Sequence, residues 1–155
     1  MKLIFSHFNL LQQNIVDDEL HHILVKAVPR GCKLIALLDC CHSGTGLDLQ
    51  FIYTPQGRTT SKVVDHKITE GDVICYSGCA DDQKSADTIA QGRPAGAMTF
   101  AFRSVLRTNP EITYFGLLTK MKEFLDTGTL RYTQIPHLST SHSCFDVHQR
   151  FSLFY

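Results

Sequence analysis

Leu34-Ile35-Ala36-Leu37-Leu38-Asp39-Cys40-Cys41-His42-Ser43-Gly44-Thr45-Gly46 decides how the rest of the chain is read. Five apolar residues in a row, with Gly31 before them and glycines after, suit a strand buried on both faces. Strands of that kind belong to parallel sheets covered by helices, and open α/β sheets place their ligands beyond the carboxyl ends of the strands. The polar cluster begins at that end. A thiol beside a carboxylate, a histidine, a serine and glycines is a candidate nucleophile there. Free cysteines are also ordinary small core residues, so it is the strand-end position that favours a functional thiol.

Outward from this stretch the pattern alternates between strand and helix. Upstream, Asp17 can cap a helix, with Asp18 and Glu19 at the positive end of its dipole. Val16, Leu20, Ile23, Leu24 and Ala27 then fall on one face, which leaves His21 and His22 to solvent; Pro29 and Gly31 end the helix. Downstream, 51–54 and 72–77 read as strands. Residues 55–67 read as an exposed loop or short hairpin, and 81–94 as a polar loop at the same sheet edge as the thiols. Two amphipathic helices follow, over 96–107 and from a Thr113 cap to Gly128, and 150–155 reads as a final strand. Residues 1–13 have no clear period and read as an unplaced extension. Strand, loop, strand, helix, helix fits one layered α/β domain over 14–155.

Composition narrows the function classes. Lys plus Arg and Asp plus Glu both total 15, so no net charge argues for nucleic acid. No apolar run reaches membrane-spanning length. Six cysteines at irregular spacing, in a chain patterned to fold without staples, read as reduced thiols of a cytosolic or nuclear protein. No Cys-x-x-Cys pair exists, which disfavours zinc.

Two blocks carry a resemblance. Asp39, Cys41, His42, Ser43 and Gly44 match the Asp-x-Cys-His-Ser-Gly block of metacaspases, the caspase-like cysteine peptidases of fungi, plants and protozoa, with Cys40 where the family often has Ser. Residues 77–87, Ser-Gly-Cys-Ala-Asp-Asp-Gln-Lys-Ser-Ala-Asp, resemble the family's Ser-Gly-Cys-x-Asp-x-Gln-x-Ser-Ala-Asp block. The resemblance implies a caspase-like three-layer sandwich around a mostly parallel sheet. It implies a cysteine endopeptidase acting on proteins or peptides after Arg or Lys, with Cys41 as nucleophile and no cofactor in the chemistry. Asp39 matches the carboxylate of the pocket that takes the cationic side chain; read without the family, it is a loop cap. Asp17, Asp18 and Asp48 match Ca²⁺-binding positions of calcium-activated members, an incomplete set because a further upstream Asp has no counterpart here.

A thiol attacks an amide as thiolate and needs a base. The resemblance assigns that base to a histidine in an upstream His-Ser-Gly-His-Gly block. No such block occurs in these residues; His7, His21 and His22 stand outside any match. The expectation is therefore impaired peptidase activity and a sheet edge left bare beside 34–38. The rival expectation is a non-catalytic remnant that binds or regulates an intact homologue.

Overall fold

The computed structural model describes residues 2–6, 17–39, 47–61, 69–78, 87–90, 93–127 and 134–153. Six strands form one sheet: β1 (Lys2–Ser6), β2 (Lys33–Leu38), β3 (Phe51–Thr54), β4 (Gly57–Ser61), β5 (Asp72–Ser77) and β8 (His137–Thr140), in the order β1-β2-β5-β8-β3-β4. β1, β2 and β5 are parallel, while β8 is antiparallel to both β5 and β3. β4 returns antiparallel to β3, so four of the six strands run the same way. β6 (Asp87–Ala90) and β7 (Arg93–Gly96) make a separate antiparallel hairpin.

β2 carries no polar face because it has none to show. Ile35 and Leu37 point into one core with Ile74, Tyr76 and Leu138. Helices α2 (Ala97–Thr108) and α3 (Tyr114–Thr127) cover that face through Met98, Phe102, Leu118 and Met121. Leu34, Ala36 and Leu38 point the other way, into a smaller core with Val73, Cys75, Val25, Leu47 and Leu49. Each such aliphatic side chain contributes roughly 1.5–3 kcal/mol by leaving water. Helices lie on both faces, which is the expected sandwich.

Several expectations are corrected. The helix that begins at Asp17 is only four residues long, α1 (Asp17–Leu20), and passes into a π-helical turn over His21–Val25 closed by Lys26 N–H to the His21 carbonyl at 3.1 Å. The wider turn rotates the stripe. His21 and Val25 are buried, and Ile23 is 55% exposed. The described part of the stretch 150–155, residues 150–153, does not add a strand. Its neighbourhood bonds to the start of α3 instead, through Phe115 N–H to Val147 O, Tyr114 N–H to Gln149 O and Phe151 N–H to Ile112 O. The late strand is β8, where Leu138 and Thr140 alternate with His137 and Ser139. Lys2–Ser6 pairs with β2 throughout, so the edge expected to be bare is covered by a run too short to show a period. The loop 81–94 includes the β6–β7 hairpin.

Tyr76 sits where three aromatic rings meet, edge-on to Phe102 and Phe151, with its hydroxyl donating to Tyr114 O at 2.9 Å. Burial, with Tyr114 adding, pushes its phenol well above the usual tyrosine range. The unfolded chain releases that proton near pH 10 while the folded chain keeps it, so this contribution to stability is intact below about pH 10 and fades above it. A urea-unfolding series from pH 8 to 11 should show stability falling at the alkaline end. Tyr76→Phe should flatten that fall and cost about 1 kcal/mol at neutral pH for the lost hydrogen bond.

Candidate active site

The carboxyl edge of the parallel strands is level: Ser6 pairs with Leu38, Leu38 with Ser77, and Ser77 with His137. Gly78 N–H bonds Leu38 O at 3.2 Å and carries the ladder one step further. Leu38 belongs to the smaller core, so the next residue, Asp39, turns to the face of α2. There Asp39 is 6% exposed and its Oδ2 accepts the Thr99 N–H at 2.7 Å. Thr99 lies in the first turn of α2, whose peptide dipoles favour a negative charge at that end. Gly96 is the cap residue, and a Cβ there would overlap the Asp39 carboxylate. Glycine is required for this approach, not for an unusual φ.

Asp39 opens the segment that carries Cys41. Residues 40–46, and with them Cys41 and His42, lie outside the described residues. The segment is followed by Leu47 and Leu49, 2% and 4% exposed, with Asp48 between them at φ 48°. Burying both leucines puts Asp48 in the left-handed region, which Asp tolerates better than most residues. The Leu47 carbonyl accepts a hydrogen bond from His21 Nδ1 at 2.7 Å.

That bond joins the elements that bear the acidic candidates. Asp17 is the first residue of α1, Asp18 is exposed on it, and Asp48 is half-buried next to Leu47. Among the described residues no three His, Cys, Asp or Glu side chains group closely enough to hold a metal ion. Cys32 and Cys144 are exposed free thiols and Cys75 is a buried one.

The histidines divide. His22 is exposed, His21 is buried, and His7 lies outside the described residues, one position after Ser6. A Ser-His-Asp grouping does occur, at the opposite edge. His142 Nδ1 is 3.1 Å from Ser141 Oγ and 3.3 Å from Asp72 Oδ1, and its Nε2 is 3.0 Å from Thr69 O. Ser141 Oγ is buried and accepts the Val73 N–H at 2.9 Å, so it clasps β8 to β5 and has no role as a nucleophile. Sequence reasoning missed Gly96, Thr99 and His21. Nothing local to Gly96 marks it as the neighbour of Asp39, and only the His21/Val25 spacing of four hinted at burial.

The caspase-domain family model matches residues 3–148, which includes β1. The chain is 34% identical to Metacaspase-1 of Schizosaccharomyces pombe over 175 residues, covering 83% of this chain and 40% of that protein. It is 34% identical to Metacaspase-1 of Yarrowia lipolytica, covering 89% and 39%, and 35% identical to Metacaspase-1A of Aspergillus oryzae, covering 86% and 42%. The chain thus spans about two fifths of the length of these relatives. A crystal structure of a protein from Geobacter sulfurreducens has a TM-score of 0.58 at 20% identity, covering 88% of this chain and 57% of that one, a likeness of fold.

Proposed function

The chain belongs to the caspase-domain family, with metacaspases among its relatives, and from that premise we propose that it is a cysteine endopeptidase of metacaspase type that cleaves proteins after Arg or Lys. Cys41 is the nucleophile in this reading. Its own backbone N–H and those of the following glycine segment suit an oxyanion. The observation that carries the reading is Asp39: a buried carboxylate at the carboxyl end of β2, two residues before Cys41. A carboxylate in that place is the group with which a guanidinium or ammonium makes a charge-assisted contact. Purified chain should release product from an Arg-amide peptide, and Cys41→Ala should abolish that release. Cleavage that survives Cys41→Ala excludes the reading.

The base is the weak point, and the activity proposed is correspondingly slow. Of the histidines in this chain, His7 is the one the register favours. Ser6 pairs with Leu38, His7 is the next residue, and Cys41 lies three residues beyond Leu38. The partners of this reading are protein or peptide substrates, not nucleic acid or membrane, and the reduced thiols of Cys32, Cys75 and Cys144 suit a reducing cytosol.

Calcium enters as an activator only. Asp17, Asp18 and Asp48 are hard oxygen donors of the kind Ca²⁺ prefers, but an incomplete set of carboxylates falls short of a cage of about 6–8 oxygens. Weak binding follows: millimolar Ca²⁺ should raise the melting temperature by mass action. Asp48→Asn keeps a side chain suited to the left-handed backbone and removes the charge, so it should abolish that rise. An undiminished calcium response in Asp48→Asn removes this site from the account.

A further inference from the structure

His21 takes part in none of the chemistry above. It is 2% exposed, its Nδ1 donates to Leu47 O at 2.7 Å, and its Nε2 is buried with no hydrogen-bond partner among the described residues. A buried ring nitrogen without a partner costs stability, and an apolar residue of similar size would avoid that cost. What histidine adds at this position is the Nδ1–H. The π-helical turn over His21–Val25 is the local device that turns it inward, and such single turns in helices are frequent at functional sites. The carbonyl it holds belongs to the first residue after 40–46. The other end of that segment is held independently, by Asp39 on the N-terminus of α2.

We infer that His21 is a positioning residue: its Nδ1–H fixes the Leu47 carbonyl and thereby sets the closing end of the segment that carries Cys41. The positioning role rests on the reading of Cys41 as nucleophile, whereas the anchor on Leu47 does not. A thiolate must approach the scissile carbon within about 3–3.5 Å, and a displacement of about 1 Å can cost on the order of 100-fold in rate. Asp39, at the opposite end, governs docking. Loss of the His21 anchor should therefore lower kcat and spare KM.

The test uses the full chain with His21→Phe, which fills the space without a donor, and His21→Asn, which keeps a donor near the Nδ1 position. Amide hydrogen exchange over 47–49 should accelerate about tenfold in His21→Phe, as one buried hydrogen bond is lost, and stay near wild type in His21→Asn. The kcat of Cys41-dependent cleavage should fall about tenfold in His21→Phe, with KM within about twofold, and recover in His21→Asn. Unchanged exchange in His21→Phe, equal acceleration in both variants, or an unchanged kcat overturns the proposal. If wild type shows no Cys41-dependent cleavage, the peptidase reading fails and the anchor is judged by exchange alone. If His21→Phe does not fold, ¹⁵N spectra of the wild-type imidazole decide: a slowly exchanging Nδ1–H tautomer supports the anchor, and an Nε2–H tautomer overturns it.

Discussion

Purified alone, the chain should hydrolyse Arg- or Lys-amide peptides on the order of 10²–10⁴-fold more slowly than a version extended upstream by a His-Ser-Gly-His-Gly segment, the range general acid–base help supplies. Asp39, the carboxylate proposed for docking, and the thiol of Cys41 are both present. What these residues lack is a matched histidine to raise the thiolate fraction and to protonate the leaving amine. Cys41→Ala should silence both versions, since a nucleophile and its base act as a unit. The residual rate of the unextended chain should fall further in His7→Ala and stay level in His22→Ala, because His22 is exposed on the π turn and His7 follows a strand level with β2. An ordinary enzymatic rate from the unextended chain that survives His7→Ala would show that the base comes from elsewhere.

The second large effect should come from one methyl group. Gly96→Ala introduces a Cβ into the space of the Asp39 carboxylate. Either the carboxylate leaves the Thr99 N–H or the start of α2 moves. The first alternative takes a hydrogen bond from a buried carboxylate and costs about 1.5–3 kcal/mol, the scale of a hydrogen bond to a charged group. It also removes the anion from the place where a cationic side chain would dock. Chemical denaturation should report the stability loss, and KM for an Arg-amide should rise about tenfold or more, the scale of a charged contact worth about 1.5–3 kcal/mol. A variant with wild-type stability and KM would detach Asp39 from both roles. Asp39→Asn separates the two: it retains the Thr99 contact through its carbonyl oxygen and loses only the charge.

The sandwich was legible where a single side chain's surroundings are dictated by its sequence neighbours. The apolar runs at 34–38 and 72–77 have no polar face, and each became a strand with a core on both sides. The helices after Gly96 and Thr113 start within a residue of their expected places; at the second the cap chemistry is local, with Thr113 Oγ1 accepting Gly116 N–H at 2.9 Å. Lys2–Ser6 escaped because five residues hold no period, and their role comes from pairing with β2. His21 escaped because a π turn shifts the face by one residue, which a period of 3.6 cannot register. At the site, Cys41 lies outside the described residues, while the position of Asp39 just past a strand end was readable. The contact of Asp39 with Gly96 and Thr99 was not, since close approach between residues that far apart leaves no mark in either stretch.

β8 is the last strand to be synthesised among those described, yet it lies fourth in the sheet, between β5 and β3. Until residues 137–140 are available, β1-β2-β5 and β3-β4 are two separate ribbons, each with an unpaired inner edge. Closing the sheet is therefore a long-range event that follows local helix and hairpin formation, the kind of contact that slows folding. On the ribosome, the nascent chain exposes two unpaired β edges from the completion of β5 at Ser77 until β8 begins at His137, a window in which neighbouring nascent chains can pair with each other instead. A strand four residues long thus governs when the protein becomes one body, and the Ser141–His142 clasp immediately after it is what locks that late arrival in place.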